Sequence, residues 1–75
     1  MLKYFEKLFK NKRIVIKLST NETIIGDYVE TDKLGNILLS KVTIKSDNKT
    51  VLVDKVIVRG SYIIYVYPAT QEDEE

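Results

Sequence analysis

Seventy-five residues, 44% hydrophobic and 31% charged, make one small domain and exclude a second, a disordered chain or a membrane-spanning one. With no cysteine and no histidine, disulfides and the usual ligands of zinc, iron or copper are absent, so oligomerisation is the expected supplement to so small a core. Net charge is +1, but the four acids at 72–75 mask a body with twelve basic and seven acidic residues, about +5.

Residues 1–12 (MLKYFEKLFKNK) lack the continuous apolar run and small-residue cleavage site of a secretory signal, and the expected compartment is the cytoplasm. Within them, Leu2, Phe5, Leu8 and Phe9 fall at the i, i+3, i+4 spacing of an amphipathic helix over residues 2–10. Nine residues are marginal as a free helix, so a cap on the end of a small barrel is favoured over a membrane-surface or partner helix. The period then changes to two. Arg13 to Leu18 alternate around Ile14, Ile16 and Leu18, and residues 19–22 read as a turn. Thr23 to Asp32 form a second strand, in which Gly26 marks a bulge or sharp bend. Residues 32–36 (DKLGN) make the next turn, with Gly35 and Asn36 suited to positive φ. Ile37 to Ser46 and Thr50 to Val58 are the third and fourth strands, joined by a polar turn at 47–49. Arg59-Gly60 interrupts before a fifth strand, Ser61 to Tyr67, ended by Pro68. The acidic residues 71–75 are expected to be a disordered tail on a domain of residues 1–70. Tyr4, Tyr28, Tyr65 and Tyr67 are expected in the core or at an interface rather than as stacking platforms.

One helix and five strands on short connections indicate an all-β fold, a small antiparallel barrel of the OB or SH3-like type. The last two strands are rich in Val, Ile and Tyr and low in charge, so an open edge there would template another chain. Head-to-tail pairing with copies of itself relieves this and closes into a ring.

Catalysis is not expected. Histidine and cysteine are missing, and the neighbouring acids Asp27, Glu30 and Asp32 read better as a solvated strand edge than as a carboxylate catalyst. The three glycines, at 26, 35 and 60, are too far apart for a phosphate-cradling loop.

Two stretches carry a resemblance. IIGDYVETDKLGNILL, with Gly26, Asp32, Asn36 and Leu39, resembles the first Sm motif; VIVRGSYIIYVYP, with Arg59-Gly60 between two apolar strands, resembles the second. In that order, after a short helix, they make residues 2–68 similar to the Sm-like (LSm) family, most like its archaeal members; bacterial Hfq carries a histidine in its second motif that this chain lacks. The resemblance implies a strongly bent five-stranded barrel without cofactor, and a ring of six or seven subunits, seven favoured, in which strand four of one subunit pairs with strand five of the next. It further implies binding of single-stranded, uridine-rich RNA at the pore rim, a role in RNA processing, turnover or chaperoning, and RNA-processing proteins as partners.

On that basis Asn36 would match the edge of uracil and Asp32 would hold its loop, while Arg59 stacks on a base and attracts phosphate. Gly60 would let the backbone turn close by, and Lys33 would add to a ring of positive charge. Leu34 stands where the family commonly has a histidine or aromatic that stacks on the base, and Tyr62 replaces a small polar residue. Tyr62, close to Arg59 in sequence, is therefore expected to substitute in part for the lost stacking partner. Two other readings remain at this point: a ring that recruits proteins, with an acidic tail competing with RNA or binding a basic partner, and a monomeric SH3-like or OB-fold adaptor.

Overall fold

The computed structural model describes the backbone of residues 2–74 and the side chains of residues 4–74; the side chains of Leu2 and Lys3, and Glu75, lie outside the described residues. Helix α1 (Leu2–Phe9) precedes β1 (Arg13–Leu18), β2 (Thr23–Thr31), β3 (Ile37–Ser46), β4 (Lys49–Val58) and β5 (Ile63–Pro68), and a last turn of helix, α2, spans Gln71–Glu74. The strands form one antiparallel sheet in the order β4-β3-β2-β1-β5, which leaves β4 and β5 as its two edges.

Helix α1 stops where Asn11 takes a left-handed φ of 62°, a conformation asparagine tolerates better than most residues. Phe9 is buried, with Phe5 partly buried beside it, and the Phe9 ring lies 6.0 Å from that of Tyr28 on β2. The Tyr28 hydroxyl donates to Glu6 Oε1 at 3.1 Å and shares a 2.6 Å hydrogen bond with Thr31 Oγ1, fixing the helix to the sheet. The expected cap on the barrel end is thus what α1 forms.

Inward side chains from every strand meet in one apolar cluster, including Ile14, Ile16, Leu39 and Val42. Val58 of one edge strand and Val66 of the other both pack in it, so the sheet curls on itself. Two devices bend it. The β2–β3 register shifts between Ile25 and Asp27, where a Cβ on Gly26 would come within 3.0 Å of Val42 Cγ2 and 3.1 Å of Ser40 O. Opposite it, Lys41 adopts a φ of 51°, and its carbonyl accepts from Arg13 Nη1 at 3.1 Å while the same nitrogen pairs with Asp27 Oδ1 at 3.0 Å.

Burial departs from simple alternation. Val15 and Ile25, register partners on the face opposite the core, are only 1% and 3% exposed. The cover for this second face comes from the C-terminus. Glu74 Oε1 accepts from Arg13 Nε at 3.0 Å, Asp73 Oδ1 from Tyr67 Oη at 3.3 Å, and the Asp73 carbonyl from Lys45 Nζ at 3.5 Å. Arg13, Tyr67 and Lys45 share the face of Val15 and Ile25, so α2 lies over that pair. Asp73 also accepts from the backbone N–H and the hydroxyl of Thr70 at 2.7 and 3.0 Å, holding its carboxyl below the usual range. Where a disordered tail was expected over 71–75, residues 71–74 form α2, held by the Thr70–Asp73 pair and by the bonds to Arg13, Tyr67 and Lys45. The fifth strand also begins two residues later than expected, because Gly60–Tyr62 form a 3₁₀ turn. Among the described residues no helix is long and apolar enough to cross a membrane.

Candidate nucleic-acid interface

The turn between β2 and β3 is organised by one carboxylate. Asp32 Oδ1 accepts the backbone N–H groups of Leu34 at 2.8 Å and Asn36 at 2.9 Å, and Oδ2 accepts Asn36 Nδ2 at 3.0 Å. Two backbone bonds close the same turn, from Asp32 N to Asn36 O and from Gly35 N to Asp32 O, with Gly35 at a φ of 85°. The Asn36 backbone bond, followed by its side-chain amide and the N–H groups of Leu34 and Gly35, lowers the Asp32 pKa, so the group is ionised at neutral pH.

Asn36 carries the connection onward. Its Oδ1 accepts the backbone N–H of Gly60 at 2.8 Å, joining turns that are 24 residues apart in sequence. Only the oxygen can accept from Gly60 and only the NH₂ can donate to Asp32, so the amide orientation is fixed by its partners. One N–H and one oxygen lone pair of Asn36 remain free. The approach at Gly60 is close enough to require glycine: a Cβ there would sit 2.6 Å from the Gly35 carbonyl oxygen and 3.3 Å from that of Leu34.

The remaining sequence-selected residues surround this junction unequally. Lys33 and Arg59 are exposed, and neither side chain takes part in a hydrogen bond or ion pair among the described residues. Leu34 is 84% exposed and lines, with Tyr4, Leu8, Ile64 and Tyr65, an apolar groove of about 480 Å³ between α1 and β5. Tyr62, 51% exposed, has its backbone held by Arg59 O and by the N–H of Ser19 in the β1–β2 turn.

A second groove, of about 210 Å³, opens beside Asn36 and Asp32 and is completed by Glu30, Leu38 and Ile57. Neither Leu34 nor Tyr62 lines it. Sequence reasoning missed Leu38 and Ile57 because their signal, an apolar pair directly opposed across β3 and β4 on the face away from the core, exists only once the register is known. Among the described residues no group of three or more acidic side chains is placed to hold a metal ion.

Tyr65 and Tyr67 lie on the β5 edge, 53% and 38% exposed, and Tyr4 is 67% exposed; only Tyr28 is buried. On the β4 edge Leu52 and Ile57 are 78% and 69% exposed.

The LSM domain model matches residues 4–68, which holds both joined turns and all five strands. The chain belongs to the LSM family. This LSM chain is similar to the crystal structure of a heptameric archaeal Sm protein, at a TM-score of 0.77 and 20% identity over 91% of this chain and 98% of that one. It is similar also to the SmAP1 heptamer of P. aerophilum (0.80, 22% identity, 92% and 93% covered). A third similar structure is the Sm protein of Pyrococcus abyssii in complex with a uridine heptamer (0.78, 19% identity, 91% and 96% covered). Likeness at such identities establishes the LSM fold. No curated protein matches the sequence.

Proposed function

We propose that this LSM domain assembles head to tail into a homo-oligomeric ring, seven subunits favoured over six, that binds single-stranded, uridine-rich RNA at the pore rim. It would act in RNA processing, turnover or chaperoning as a binding scaffold rather than as a catalyst. The observation that carries the reading is the Asp32–Asn36–Gly60 junction. It locks the two motif turns together and leaves Asn36 one donor and one acceptor, the complement of the carbonyl and N–H presented side by side on the edge of uracil. Lys33 and Arg59, exposed on the same turns, supply charge to the phosphates, and repetition around a ring multiplies it.

The ring follows from the edges. Beta strands β4 and β5 end the sheet and expose Leu52, Ile57, Ile64 and Tyr65, a combination that a monomer leaves open to uncontrolled pairing. The two heptamers among the similar structures support the ring, and the Sm protein in complex with a uridine heptamer supports the RNA ligand.

One observation favours a second reading. Leu34, at 84% exposure, offers an apolar tip where a stacking face would help an RNA base, as a protein-recruiting ring would require. Labelled oligouridylate and oligoadenylate of equal length, titrated at low and moderate salt against protein of measured mass, separate the two. Ring mass with tighter oligouridylate binding that persists at moderate salt supports the base-reading rim. Weak binding, equal for both polymers and abolished by salt, supports the recruiting scaffold, and a monomeric mass at micromolar concentration overturns both.

A further inference from the structure

We propose that each base site is built by two chains, with Tyr62 of one subunit closing the groove beside Asn36 of its neighbour. The inference rests on the ring reading above and goes beyond it. The groove lined by Glu30, Asp32, Asn36, Leu38 and Ile57 has an apolar wall, an amide with a free donor and acceptor, and no aromatic side chain. Leu38 and Ile57 are register partners on the face opposite the core, and Ile57 is 69% exposed because β4 is an edge strand with nothing beside it. One wall is therefore missing on the side where a neighbouring chain would pair.

The direction of that pairing follows from the positions of the turns. Strand β4 reaches the Asn36–Gly60 junction with its C-terminal end, since Val58 immediately precedes Arg59-Gly60. Strand β5 leaves the junction with its N-terminal end, since Ile63 immediately follows the Gly60–Tyr62 turn. If the junctions of all subunits converge on one pore, the β4 edge of one chain and the β5 edge of the next must both direct their junction ends inward. The two strands then run antiparallel. The head of β5, with Tyr62, comes to lie beside Ile57 and Val58 at the tail of the neighbour's β4, on the open side of the groove.

Tyr62 is prepared for this position. Its backbone is fixed on both sides, by Arg59 O and by Ser19 N, while its side chain is 51% exposed and does not line the groove of its own chain. Seated on the neighbour's groove, the ring would present a π face to a base resting on Leu38 and Ile57 with its edge on Asn36. The carboxylates of Glu30 and Asp32 disfavour a phosphate in the same space, so the groove takes a base and leaves the RNA backbone to Lys33 and Arg59. This also gives the chain a stacking surface that Leu34 lacks.

The test uses intact rings, each verified by mass, and labelled oligouridylate as the probe. Tyr62→Ala rings are expected to bind at least about fivefold more weakly than wild type, as loss of one stacked face implies, and Tyr62→Phe rings to bind as wild type. The deciding measurement mixes lesions: Asn36→Ala and Tyr62→Ala chains, differently tagged, are refolded together and rings containing both are isolated. If the site lay within one chain, every subunit would be defective. If it is shared, each interface pairing an intact Asn36 with the neighbour's intact Tyr62 restores a whole site, and mixed rings bind several-fold more tightly than either pure variant. Should the alanine variant fail to assemble, Tyr62→Leu, which keeps an apolar cover without a π face, takes its place. Mixed rings no better than their parents, or Tyr62→Ala rings binding as wild type, overturn this inference alone. A wild-type ring without affinity for oligouridylate overturns the proposed function and this inference with it.

Discussion

Asp32 and Gly60 show how single residues set the geometry on which the candidate site depends. Asp32 is exposed, yet hydrogen bonds from Asn36, Leu34 and Gly35 hold its pKa below the ordinary 3.8. A carboxylate whose folded pKa is depressed contributes stability that is complete above its unfolded value and is lost as pH falls through the lower folded value. Thermal melts taken downward from neutral pH should therefore lose stability below about 3.8, and Asp32→Asn should lose less over that range than wild type. Comparing the two separates Asp32 from Asp73, which shifts in the same direction through Thr70. At Gly60 the constraint is space. A methyl group there would meet the Gly35 carbonyl at 2.6 Å, and backbone rather than a flexible side chain would have to move. Gly60→Ala should lower unfolding free energy by about 1–3 kcal/mol in a urea titration, the usual cost of overpacking, and should weaken oligouridylate binding by displacing the N–H that orients Asn36.

Among the elements, the C-terminal segment changes its meaning most between sequence and structure. Four consecutive acids read as a solvated tail that could shield a basic rim. In the fold, α2 lies over Val15 and Ile25, and it leaves the end of β5 opposite to the Gly60 junction. The six residues of β5 put about 20 Å between the junction and the strand end from which this segment departs, more than twice the screening length of about 8 Å at physiological salt. Removing residues 70–75 is accordingly expected to leave oligouridylate affinity within about twofold of wild type at physiological salt. The same truncation should cost on the order of 1–3 kcal/mol in stability, because it uncovers two aliphatic side chains. A large gain in affinity would show that the tail reaches the rim.

For the molecule as a whole, the sheet has two open edges and an apolar groove beside one of them, and in the proposed ring these are the surfaces through which copies would meet. Ile64 is 59% exposed on β5 and lines the groove against α1, so it contributes little to the fold of one chain and would be covered by a contact between chains in the proposed ring. Ile64→Lys places a charge on that edge, the device by which natural sheets discourage pairing. The variant should keep a β-type circular dichroism spectrum while its mass by light scattering falls from the ring towards a single chain. A variant that retained ring mass would place the interface elsewhere.

Local patterns along the chain specify α1, the five strands and their order. The change of period after residue 12, the breaks at residues 19–22, 32–36 and 47–49, and the two motif stretches each reflect local backbone chemistry, which neighbouring residues are enough to specify. The sequence also marked Asp32, Asn36, Arg59 and Gly60 as residues of one purpose, through their resemblance to a paired motif. The bond from Gly60 to Asn36, the second apolar face at Val15 and Ile25, the cover that α2 gives it, and the Leu38–Ile57 wall of the groove arise only once the chain is folded. Each depends on strand register and on the curl of the sheet, which bring together residues far apart in the chain, and no local pattern encodes which of two faces a distant segment will cover.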